Sequence, residues 1–122
     1  MIQLSRTEFS RLARRAYGQL PPRVRRALDN VDVAVEEWPD PEDLDAAEGA
    51  ETLLGLYVGV PLPEREGGAP LLPDRIVLFR QPILRSCSTR AEVVREIRVT
   101  LWHEVGHYLG LEERDLHRLG YG

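Results

Sequence analysis

The sequence predicts an α+β domain. A small three- to four-stranded mixed sheet should pack against N-terminal helices and one long helix, with a short helix at the C-terminus. Three observations carry this expectation. Ser5-x-x-Glu8 and Thr89-x-x-Glu92 are capping boxes, each opening a helical pattern. Three short runs with strand character lie between them. The length of 122 residues suits one domain, 1–122, with one core and little room for further modules.

After Ser5 the apolar residues Phe9, Leu12, Ala13, Ala16 and Tyr17 fall on one helical face. Leu4 and Phe9 occupy the staple positions. Gly18 and Pro21-Pro22 interrupt this helix, and a short second one is expected over Pro22 to Leu28. Val31 to Glu36 alternates with period two, which places its valines inward on a strand that Trp38-Pro39 ends. Pro39 to Glu51 holds six acidic residues and no basic one, and reads as a solvated loop. Leu53 to Val60 is a second strand, whose two glycines point to close backbone approach or a bulge. Pro61 to Asp74 reads as an exposed loop. Arg75 to Arg80 is a third strand, stopped by Gln81-Pro82; its charged ends suit either protection of an edge or pairing with an extended peptide. The helix opened by Thr89 should run to about Leu109, with Val93, Ile97 and Leu101 in one apolar row and Gly110 at the position that ends it. A last short helix is expected over Glu112 to Leu119.

Composition excludes several functions. A net charge of −4 argues against nucleic acid as the main partner. No apolar run approaches membrane-spanning length, and no apolar signal core follows Met1, so no membrane association and a cytoplasmic location are expected. Cys87 is the one cysteine, which rules out an internal disulfide and a thiolate zinc cluster. All 16 basic residues are arginine, and seven lie within the first 28 positions, where they read as a solvated helix face.

The most specific chemistry is His103-Glu104-Val105-Gly106-His107. Residues four apart share a helix face, so His103 and His107 can offer two imidazoles to one metal ion. Glu104 is placed to reach a water at that metal as a general base. Catalytic zinc takes three protein ligands and keeps one position open. Only 15 residues follow His107, so the third ligand is sought nearby, among Glu112, Glu113, Asp115 and His117. The run from His103 to Glu113 resembles the metzincin pattern H-E-x-x-H-x-x-G-x-x-H/D. In that pattern Gly110 turns the chain back beneath the metal and the third ligand falls at Glu113. Asp115, His117 and Glu112 stay as alternatives.

Element order and length extend the likeness. The acidic run Glu112-Glu113-x-Asp115-Leu116 and the strand end Phe79-Arg80-Gln81-Pro82-Ile83 are similar to motifs of the bacterial minimal zincin-like metallopeptidases. This resemblance implies a minimal zincin-like fold, Zn2+ as cofactor, zinc ligands at His103, His107 and Glu113, Glu104 as base, and a peptide or protein substrate. The chain departs from metzincins in three ways. Met1 is its single methionine, so a methionine turn is absent; little chain follows Glu113 to build a lower cleft; and the third ligand is Glu where Asp or His is more typical. The function the resemblance implies is a zinc-dependent metallopeptidase. The alternatives are a non-catalytic zinc-binding or interaction module, or a catalytic subunit whose cleft a partner completes. Trp102 and Tyr108 beside the motif, and Tyr121, are expected to pack rather than act.

Overall fold

The computed structural model describes residues 2–46, 53–59, 74–111, 114 and 118. In chain order they form α1 (Arg6–Gly18), α2 (Pro22–Ala27), β1 (Val31–Glu36), α3 (Pro41–Ala46), β2 (Gly55–Val58), β3 (Asp74–Phe79), α4 (Arg80–Arg85) and α5 (Arg90–Tyr108). The sheet has the order β1-β3-β2, with β1 parallel and β2 antiparallel to β3. Helix α5 packs against α1 on one side and against β2 and β3 on the other. This is the α+β architecture with a small mixed sheet that the sequence predicts. No helix among the described residues is long and apolar enough to cross a membrane.

Local chemistry explains the helix starts. Ser5 Oγ accepts from Glu8 N at 3.1 Å, and Thr89 Oγ1 accepts from Glu92 N at 3.1 Å. These bonds satisfy amide groups that the first helical turn leaves without partners. Leu4 and Phe9 are both buried, as a staple requires. The long helix closes at Gly110, with φ 78°. Gly110 N donates to His107 O at 3.0 Å and Leu111 N donates to Gly106 O at 2.9 Å, the paired bonds of a Schellman ending. Phe9, Leu12, Val93, Ile97 and Leu101 then share one core with the inward side chains of the sheet. Burying each of the larger ones stabilises the fold by roughly 1.5–3 kcal/mol.

Four sequence expectations need correction. The third strand is not an edge: β3 is central, with β1 and β2 on its two sides, so it has no open side for a peptide. Arg80 belongs to α4 rather than to the strand, and Gln81-Pro82 continues that helix instead of stopping the chain. Proline is tolerated in a first turn because the amide it lacks has no helical partner there. The acidic segment contains α3. Asp40 Oδ1 accepts from Asp43 N at 2.9 Å and Asp43 Oδ2 accepts from Asp40 N at 3.0 Å, a reciprocal cap followed by proline at the first helical position. Finally, Asp74 opens β3 instead of closing a loop. Of the expected last helix, only Arg114 and Arg118 are among the described residues, both in helical backbone.

One polar knot ties the N-terminus to the ends of β1 and β3. The Glu37 carboxylate accepts from Arg80 at 2.5 Å and from Arg6 and Gln81, each at 3.1 Å. Arg80 also donates to Leu4 O, and Arg6 donates to Val35 O at 2.6 Å. The Gln81 amide, aided by the Arg80 and Arg6 guanidiniums, holds the Glu37 carboxyl below the usual glutamate range despite opposing desolvation. Its folded-state pKa thus lies below the unfolded value. The stabilisation is present above the unfolded pKa and disappears as pH falls through the folded one. Glu37→Gln should therefore melt below the wild type at neutral pH, and the two melting points should converge in strongly acid buffer. Thermal unfolding followed by circular dichroism across that range checks this.

Candidate metal centre

The motif occupies the last two turns of α5, held by the cap at one end and the Schellman turn at the other. The two imidazoles lie side by side, ring centroids 4.6 Å apart and planes at 74°. Glu104 is buried, at 7% exposure, and its Oε1 lies 3.0 Å from His107 Nδ1. With Nδ1–H donating to that carboxylate, Nε2 of His107 is the nitrogen whose lone pair can ligate a metal, and the ring is held in orientation. Ligand atoms of His103, Glu104 and His107 all lie within 4.8 Å of one another. The position near the C-terminal end of a helix also favours positive charge. Two imidazoles four residues apart on one helix face are donors that suit zinc, and a carboxylate beside them suits a neighbour of the ion, not a ligand.

β2 lies against Glu104. A Cβ at Gly55 would stand 2.6 Å from Thr100 Cγ2 and 3.6 Å from Glu104 Cγ, so only glycine lets the strand lie this close to α5. The expectation of close backbone approach thus holds at Gly55. It holds at Gly59 too, where φ is 149° and a Cβ would collide with the Asp74 carboxylate. That carboxylate is buried and accepts from Tyr57 O–H at 2.5 Å.

The structure brings together His103, Glu104 and His107, three of the four residues singled out from the sequence. The fourth, Glu113, lies outside the described residues, as do its alternatives Glu112, Asp115 and His117, and Tyr121. Trp102 and Tyr108 pack, as expected. Trp102 Nε1 donates to Ala16 O at 3.2 Å, and Tyr108 O–H donates to Ala27 O at 3.0 Å. Cys87 is buried, and desolvation raises its thiol pKa, which suits a core thiol and not a nucleophile. Sequence reasoning missed Gly55 as a site residue. Its signal was a glycine inside a strand pattern, but nothing local tells which helix the strand approaches.

The fold and this cluster define a small zincin-like protein. The chain matches the family described as zincin-like metallopeptidase over residues 28–122 and belongs to that family. A solved structure, a conserved hypothetical protein from Thermus thermophilus, is similar at 27% sequence identity and a TM-score of 0.60, covering 87% of this chain and 94% of that one. No curated protein matches the chain.

Two outcomes follow. Gly55→Ala should cost about 1–3 kcal/mol through overpacking, and Thr100→Ser, which removes the clashing methyl, should recover part of that loss. Chemical denaturation of the two single variants and the double variant measures the coupling. His103→Ala or His107→Ala should lower zinc retained after dialysis to background while the fold persists, as read by plasma mass spectrometry and circular dichroism.

Proposed function

We propose that the protein is a zinc-dependent peptidase in which His103, His107 and Glu113 hold the ion and Glu104 is the general base. The observation that carries this reading is the buried Glu104 carboxylate beside both imidazoles of the cluster. When bound, zinc supplies Lewis acidity, which polarises the scissile carbonyl and makes a water acidic enough to lose its proton near neutral pH. Glu104 then takes that proton on a carboxylate oxygen as the water attacks, and later delivers it to the leaving amine. His107 keeps the carboxylate oriented through its Nδ1–H.

Substrate placement follows from the sheet. Leu54 O accepts from Phe79 N at 2.9 Å, so the backbone of Leu54 faces β3. By alternation, the N–H and C=O of Gly55 face away from it. An extended peptide can pair with that outer side of β2, next to Glu104, by adding a strand. This role moves to β2 because β3 is enclosed.

Glu104→Gln should lower peptide turnover by about 10²–10⁴-fold while zinc content stays at the wild-type level. Peptide-library cleavage read by mass spectrometry, with metal analysis of both proteins, is the check. A non-catalytic zinc module, the competing reading, predicts no cleavage by either protein and retained zinc in both.

A further inference from the structure

Among the described residues, strand β1 is paired on one side only, with β3. Asp74 N donates to Asn30 O, so the backbone of Asn30 faces β3, and by alternation that of Asp32 and Ala34 does too. The N–H and C=O of Val33, with Val31 C=O and Val35 N–H, therefore face outward. None of these four groups has a hydrogen-bond partner among the described residues. The open stretch ends at Val35 C=O, where the Arg6 guanidinium donates at 2.6 Å. Soluble proteins guard such an edge with charge, proline or a bulge. Val33-Ala34-Val35 carries none of these.

Helix α1 forms the second wall of a groove of about 620 Å³ along this edge. Val31, Val33 and Val35 line it from the strand side and are half-buried against the core. Ser10, Arg14 and Tyr17 line it from the helix side, at i, i+4 and i+7 on one face. The hydroxyls and the guanidinium of these three residues have no hydrogen-bond or ion-pair partner among the described residues. Arg11, three positions before Arg14, is exposed and equally unpaired. Asp32 also touches the groove, but alternation sends its side chain to the opposite face, where Arg75 is its register neighbour.

We propose that this groove receives an extended segment of a partner protein, which adds to β1 as a further strand and sets carboxylates against Ser10, Arg14 and Tyr17. The free backbone groups of β1 call for an extended backbone beside them. The row of donors on α1 calls for acceptors, and Arg14 and Arg11 favour acidic ones. Side chains on one face of a strand recur about every 6.8 Å, and Ser10 and Arg14 stand about 6 Å apart along the helix axis. Acidic residues at alternate positions therefore meet both. A second copy of the chain fits less well. Joining β1 to β1 across a twofold axis would bring Arg14 of both copies to one seam, and like charges brought together oppose binding. The groove lies on the sheet edge opposite β2, so the proposal does not rest on the peptidase reading.

Nitrogen-15-labelled protein is titrated with an octapeptide of alternating Val and Glu, with the same peptide carrying Lys for Glu, and with the Glu peptide N-methylated throughout. Amide shifts on binding the Glu peptide should centre on Val33, Val35, Ser10 and Arg14. Read by fluorescein anisotropy, the Glu peptide should bind at least about tenfold more tightly than the Lys peptide. Arg14→Glu should reverse that preference without changing the melting temperature, and the N-methylated peptide should not bind. Shifts at Gly55 instead of Val33, equal binding of the Glu and Lys peptides, or full binding of the N-methylated peptide overturns the proposal. So does a dimer in sedimentation equilibrium whose amide broadening falls on Val33, which makes a second copy the occupant. An oligouridylate that binds as tightly as the Glu peptide and shifts the same amides overturns it as well, in favour of a general anion surface.

Discussion

The contact between β2 and α5 at Gly55 is the constraint on which the proposed chemistry depends. The strand lies so near the helix that one methyl group on Gly55 would overlap Thr100. That proximity sets β2 against Glu104. A carboxylate taken out of water interacts more strongly with neighbouring charge and dipoles than one in bulk solvent. The same contact therefore shapes the surroundings of the proposed general base and the strand along which the proposed substrate extends.

The remaining elements hold that contact in place. Helix α1 backs α5 through the shared core and through the bond from Trp102 to Ala16 O. At the far end of the sheet, Glu37 gathers Arg80, Arg6 and Gln81, which fixes where β1 and β3 stop and α4 begins. Tyr108 joins the last turn of α5 to α2 through Ala27 O and meets Tyr57 of β2 edge to face at 5.7 Å. The motif helix is thus anchored on several sides, which holds the His103, Glu104 and His107 cluster in a fixed geometry.

What the sequence revealed divides by the range of the interactions involved. Ser5, Thr89 and Gly110 were legible because a cap acts within one turn, and the helices they bound lie where expected. His103 and His107 were legible for the same reason, since a spacing of four fixes a shared face. Strand order was not legible, because pairing joins residues far apart in the chain and charged ends such as Arg75 and Arg80 suit more than one position. Helix α4 was hidden by Pro82, which reads as a breaker but falls in a first turn. Helix α3 was hidden by its acidity, although Asp40-Pro41-Glu42-Asp43 carries cap signals that outweigh charge. Gly55 showed itself only as a break in a strand pattern, because its partners, Thr100 and Glu104, come from another element.

The central claim is that Glu104 stands beside the metal as a base while the imidazoles bind it. Anomalous scattering at the zinc edge, from crystals grown with zinc, tests this most directly. The account predicts one ion bonded to His103 and His107, with the Glu104 carboxylate outside bonding distance and still against His107 Nδ1. An ion bonded to Glu104, or none at this cluster, would contradict it.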